Sequence, residues 1–64
     1  MPLDRTLEGR RVRLVNSSDI YTLLQPGDCG TISFVDDMGT LHVNWDKGSN
    51  LGLIPGEDSW VVLP

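Results

Sequence analysis

The chain has 64 residues, one cysteine and one histidine, and its nine acidic residues against five basic ones give a net charge of −4. This length allows one small domain, in which only about 60% of the unfolded surface is buried on folding. A lone cysteine excludes an internal disulfide and a cysteine-rich zinc site, and the acidic balance disfavours non-specific binding to a phosphate backbone. No apolar run is long enough for a membrane span or a signal peptide, so we expect a cytoplasmic protein.

Five short runs of alternating apolar and polar residues predict five β-strands, at 9–15, 30–35, 40–45, 51–54 and 60–63. Clusters of Gly, Pro, Asn and Asp separate the runs, which is typical of a small all-β domain. No segment has helical periodicity over the ten or more residues that a helix needs. We expect residues 1–8 to form a flexible lead and residues 9–64 to form a single domain.

Two predicted hairpins share one inward face. A turn at 36–39 pairs apolar residues of the second and third strands, and a turn at 47–49 does the same for the third and fourth. The predicted pairs are Ile32 with Val43, Phe34 with Leu41, Trp45 with Leu51 and Val43 with Leu53. A slip of one residue would move the whole apolar set to the other face. The pattern therefore predicts a meander over 30–54 with Phe34 and Trp45 in the core, which the two outer strands close into a small barrel.

The segment VDDMGTLHVNWDKGS, residues 35–49, holds three aspartates and the histidine, and so raises the question of a metal or acid–base site. The predicted pairing places His42 on the outer face opposite Ser33. At about 3.3 Å per residue, more than about 10 Å of strand separates it from Asp37. Metal ligands must converge within about 2.0–2.6 Å of one point. We therefore interpret the aspartates as turn caps, with Gly39 and Gly48 at positive φ, and predict no catalytic residue, metal or cofactor.

Three motifs carry a resemblance to a known family: GRRVRLV, PGDCGTISFVDD and GTLHVNWDKGSNLGLIPGED. Over about residues 9–58 they resemble the bacterial and bacteriophage family called domain of unknown function 4314. The resemblance implies a phage or mobile-element origin and supplies no activity or ligand. The order of strands and loops also resembles SH3-like barrels, so the expected fold is an all-β, five-stranded antiparallel SH3-like barrel.

A non-enzymatic protein-binding or adaptor module is the function that we expect. SH3-like barrels commonly bind peptides between the long first loop and the hairpin turns, here residues 20–24, 36–39 and 47–50. The acids around this region favour a basic partner segment. The candidate residues are Asp19, Ile20, Tyr21, Leu23, Leu24, Asp36, Asp37 and Trp60. Alternatively, the loop leucines complete the core, and Trp60 is consistent with either role.

A nucleic-acid-associated module is the second hypothesis, because Arg10, Arg11 and Arg13 lie on or beside the first strand. Binding to DNA or RNA would then weaken with salt and with the loss of Arg11 and Arg13. The simpler interpretation is that these arginines are solvated strand residues, so nucleic acid is the less favoured partner. The protein partner is unknown, and an exposed strand edge is compatible with a monomer or a weak homodimer.

Overall fold

The structure is a computed structural model that describes residues 5–17 and 23–64. It contains β1 (Arg11–Asn16), β2 (Cys29–Val35), β3 (Leu41–Trp45), β4 (Gly52–Leu53) and β5 (Ser59–Val62), preceded by a 3₁₀ turn at Arg5–Leu7. The strands form one antiparallel sheet in the order β4-β3-β2-β1-β5. The five predicted strands and the all-β class are confirmed. β4 and β5 are the edges of this sheet, which is not closed into a barrel.

The core lies against one face of the sheet and follows the alternation of each strand. In β1, Val12 and Leu14 are buried and Arg11 and Arg13 are exposed, as predicted. The prediction that Trp45 lies in the core is also confirmed, since it is 4% exposed. The buried hydrophobic residues are Val12, Leu14, Leu24, Ile32, Val35, Leu41, Val43, Trp45 and Leu53, and Leu7, Leu51 and Trp60 pack against them.

A β-bulge at Ser33 alters the second half of the β2–β3 hairpin. Ile32 pairs with Val43 as predicted, but beyond the bulge Phe34 faces His42 and Val35 faces Leu41. The extra residue shifts the register by one, so the inward position falls to Val35 and the outward position to Phe34. Val35 is 3% exposed and Phe34 is 47% exposed. The predictions that Phe34 lies in the core and that His42 faces Ser33 are therefore wrong.

The β3–β4 hairpin has a different register from the predicted one. Leu41 pairs with Leu53 and His42 pairs with Gly52, whereas the sequence pattern placed Val43 opposite Leu53. The displacement is two residues, an even number, so Leu53 keeps its inward orientation and is 0% exposed. The predicted partners are wrong, and the predicted inward face of this strand is confirmed.

The segment before β1 is attached to β2. Leu7 packs against the core, Val35 N donates to Glu8 Oε2 at 2.9 Å, and Gly9 N donates to Ile32 O at 2.7 Å. These bonds hold residues 7–9 beside the strand that carries the bulge. The boundary between a flexible lead at 1–8 and a domain at 9–64 stays a prediction.

Candidate functional site

A shallow groove lies on the solvent side of β2 and β3. Its volume is about 200 Å³, and it is lined by Ser33, Phe34, His42, Val43, Asn44 and Asn50. Pockets for small-molecule ligands are usually about 300–1,000 Å³. The groove is therefore of a size to take one or two side chains of a partner.

Phe34 and His42 form a stacked pair in this groove. Their ring centroids are 4.2 Å apart and their planes are inclined by 6°. The stack exists because the bulge turns Phe34 outward and pairs it with His42 across the two strands. Ser33, the bulge residue, donates its hydroxyl hydrogen to the His42 carbonyl oxygen at 2.9 Å. The result is a flat aromatic surface, half exposed and held by two strands.

His42 is also bonded to a turn aspartate. Its Nε2 lies 2.9 Å from Asp36 Oδ2, and Asp36 Oδ1 accepts hydrogen bonds from Met38 N at 2.9 Å and Thr40 N at 3.0 Å. These bonds, the one from His42 foremost, lower the pKa of Asp36 below its usual range. The Asp36 carboxylate is therefore ionised at neutral pH and caps its own turn.

The separation by strand length that was expected between His42 and Asp37 does not extend to Asp36, which is bonded to His42. Asp36 N bonds to Thr40 O, and His42 lies two residues farther along β3. The two side chains are thus diagonal neighbours across the hairpin, and the distance along the chain does not apply. The Ser33 hydroxyl donates to a backbone carbonyl, so the three side chains do not form a serine–histidine–aspartate relay, in which the hydroxyl bonds to the ring.

Residues 4–63, nearly the whole chain, match the family described as Domain of unknown function (DUF4314). The chain belongs to this family. The predicted resemblance is thereby confirmed, and the DUF4314 match includes every residue of the groove. Neither the curated proteins nor the solved structures yield a match to the chain.

The Asp36–His42 bond has a measurable consequence for the acid stability of this DUF4314 domain. The pKa of Asp36 is lower in the folded state than in the unfolded chain, where a carboxyl titrates near about 3.9. The bond therefore contributes stability above that value, and the contribution is lost as the pH falls through the lower folded pKa. We expect Asp36→Asn to be less stable than wild type at pH 7, with a difference that shrinks below about pH 4.

Urea unfolding at a series of pH values from 7 to about 2.5 measures this difference. Asp37→Asn serves as the matched control, because it removes one charge from the same turn and leaves the Asp36–His42 bond in place. A difference between Asp36→Asn and wild type that is independent of pH would contradict the role of the ionised Asp36.

Among residues 5–17 and 23–64, no three His, Cys, Asp or Glu side chains are grouped so as to hold a metal ion. The same part of the chain contains no helix with the length and apolar character needed to cross a bilayer.

The predicted binding loop is divided between surface and core. Asp19, Ile20 and Tyr21 lie outside the described residues. Leu23 is 83% exposed, whereas Leu24 is 6% exposed and belongs to the core. The part of the loop that is described therefore presents one leucine to solvent and buries the other.

The remaining predicted binding residues are dispersed. Asp36 contacts the groove through His42, and Asp37 is exposed in the same turn. Trp60 pairs with Leu14 across β1 and β5 and packs against the core. The structure thus brings only Asp36 of this set to the groove.

The arginines of the nucleic-acid hypothesis are largely bonded within the domain. The Arg10 guanidinium donates to Leu63 O at 2.9 Å. Arg11 binds both carboxylate oxygens of Asp46, with one bond at 2.9 Å, and this pairing lowers the pKa of Asp46. Arg13 is exposed and pairs with Cys29 and Val61 on the neighbouring strands. Two of the three arginines therefore form hydrogen bonds within the domain, which leaves their guanidinium groups less available to bind phosphate.

Most residues of the groove were not predicted as a site. The sequence pattern predicts Phe34 in the core and His42 on a solvated outer face, and Asn50 belongs to the predicted binding turn at 47–50. One signal was present in the sequence: Phe34 and Val35 are adjacent apolar residues, which breaks the alternation of β2. Two large apolar neighbours in a strand compete for one inward position, and a bulge decides between them.

Proposed function

We propose that this domain is a non-enzymatic protein-binding module, an adaptor that takes a partner segment in the Phe34–His42 groove. The observation that carries the proposal is the exposure of Phe34, which a bulge turns out of the core and stacks on His42. A buried phenylalanine stabilises a fold by about 1.5–3 kcal/mol relative to an exposed one. A 64-residue chain has little apolar surface to spare, so an outward aromatic in a groove is best explained by a partner.

The surroundings of the groove support a protein partner over nucleic acid. Aromatic anchors in a partly enclosed depression are typical of protein interfaces. The Asp36 carboxylate is bonded directly to His42 of the stack, and its negative charge repels a phosphate. Arg11, the central cation of the alternative hypothesis, is bonded to Asp46.

The SH3-like architecture belongs to the same proposal, as does the bacterial or bacteriophage origin that the resemblance implies. Support comes from the strand order, in which β1 lies between β2 and β5 and the meander continues through β3 to β4. The predicted first-loop contribution also fits this arrangement. Lys47 Nζ approaches Leu23 O at 3.4 Å, so the described end of that loop adjoins the turn that leads to Asn50.

Affinity capture from a lysate tests the proposed function. We expect wild type to retain a specific partner and Phe34→Ala to lose it, because truncating an interface anchor costs about 2 kcal/mol or about 30-fold in Kd. Val61→Ala is the matched control, since Val61 is 48% exposed on β5 and lies outside both the groove and the predicted binding turns. Capture of the same proteins by wild type and Phe34→Ala would contradict the proposal.

A further inference from the structure

We infer that the partner segment carries an arginine whose guanidinium group lies against Phe34 and donates hydrogen bonds to the acceptor atoms of the groove. This inference rests on the proposed function, since it specifies the chemistry of the partner at the same site. Guanidinium is planar, stacks on aromatic faces and offers five N–H donors in a fixed arrangement. The groove of about 200 Å³ has room for such a group.

The polar atoms of the groove are arranged chiefly to accept hydrogen bonds. Asp36 is an ionised acceptor, so the proton in the His42–Asp36 bond lies on Nε2. In the tautomer that carries its proton on Nε2, the other ring nitrogen of His42, Nδ1, is an acceptor. The Ser33 hydroxyl donates its hydrogen to the His42 carbonyl oxygen. The Ser33 hydroxyl oxygen therefore remains as an acceptor. Asn44 and Asn50 also line the groove, and each side-chain amide has an acceptor oxygen beside its NH2 group.

The charge of the groove favours a cation. Asp36 lies at its edge through the bond to His42, and the chain carries a net charge of −4. Nearby cations are neutralised elsewhere: Arg11 binds Asp46, and Lys47 Nζ lies 2.8 Å from Asp28 Oδ2. A cation positioned over the exposed part of an aromatic ring is attracted to it.

Arginine satisfies these features better than other side chains. A phosphorylated residue brings acceptors and negative charge, which the groove and Asp36 oppose. Lysine brings a compact and strongly hydrated ammonium group that cannot stack as a plane. An aromatic residue would stack on Phe34 and leave the acceptors of the groove without donors. The arginine side chain alone combines planarity, positive charge and several donors.

Titration of the ¹⁵N-labelled full chain with short blocked peptides tests this inference. The probes are three peptides of the form acetyl-Gly-Xaa-Gly-amide, in which Xaa is arginine, lysine or citrulline. We expect the arginine peptide to shift the amide signals of Phe34, His42, Asn44 and Asn50 in a saturable manner. Citrulline keeps the shape and removes the charge, and it should bind about fivefold more weakly, since charge-assisted hydrogen bonds are the stronger ones.

A second variant separates ring stacking from simple apolar contact. Phe34→Leu keeps an apolar side chain and removes the ring, and we expect it to weaken arginine binding about threefold. Dispersion of its amide signals shows that the variant is folded. Binding of arginine and citrulline with equal strength, shifts spread over the whole acidic surface, or no shift at the groove would each overturn the inference.

The peptide titration and the capture experiment distinguish failure of this inference from failure of the proposed function. If the arginine peptide fails and Phe34→Ala still loses the captured partner, the groove binds protein through another side chain. If the partner is retained by Phe34→Ala, the proposed function itself is contradicted.

Discussion

Gly30→Ala is expected to lower the free energy of unfolding by about 3 kcal/mol, at the upper end of the usual cost of overpacking. A Cβ atom at Gly30 would lie 2.6 Å from Val43 Cγ1 and 2.8 Å from both Asn44 O and Trp45 Cα. Two of these atoms belong to the β3 backbone, which pairs with β2 at this point. The strand itself must move, and a domain of this size has roughly 3–10 kcal/mol of stability in total.

Urea unfolding followed by tryptophan fluorescence measures the effect, and Gly52→Ala is the matched control. A Cβ at Gly52 meets Thr40 Cγ2, a side-chain atom, at 3.0 Å, so we expect a cost below about 1 kcal/mol. Both glycines lie in strands and neither has a positive φ. Equal unfolding midpoints for Gly30→Ala and wild type would contradict the close approach of β3 to β2.

Ile32→Ala is the second substitution with a large expected effect. Ile32 is 0% exposed and is the last residue of β2 before the bulge. Truncation of a buried isoleucine leaves a cavity and typically costs about 2–5 kcal/mol. At about 4–8 °C per kcal/mol for a small domain, we expect the Tm to fall by about 15 °C.

Thermal unfolding monitored by circular dichroism checks this value. Ile32→Val should cost about 0.5–1.5 kcal/mol and give an intermediate Tm. Met38→Ala removes a side chain of similar size from the surface and should change stability by less than about 0.5 kcal/mol. A Tm for Ile32→Ala within about 4 °C of wild type would show that Ile32 does not anchor the core.

The two hairpins show how much of the strand pairing can be predicted from the alternation of apolar and polar residues. The pairing of Ile32 with Val43 followed from the requirement that apolar residues meet on one face, and the structure has this pair. The same requirement is satisfied by any displacement of two residues, so it did not distinguish Val43 from Leu41 as the partner of Leu53. Turn geometry decides between such registers. The geometry of this turn depends on how residues 45–51 fold back on β3.

The groove could not be predicted from the alternation of apolar and polar residues, because it is formed by interactions between strands. Phe34 and Val35 are both apolar, and the choice of Val35 for the core was made by the bulge at Ser33. Asp36 and His42 are six residues apart in the chain and became bonded because the hairpin brings diagonal neighbours together. Neither contact follows from spacing along a strand.

The amino-acid sequence by itself determined the all-β class, the five strands, most of the inward face and the family. These properties depend on local periodicity, turn residues and motifs, each of which is readable within a few residues. Only the tertiary structure decided the register of the hairpins, the open edges of the sheet and the outward position of Phe34. The physical reason is that these features depend on competition between side chains from different strands for one core. That competition placed Phe34 on the surface beside His42. The two side chains line the groove to which we assign the function.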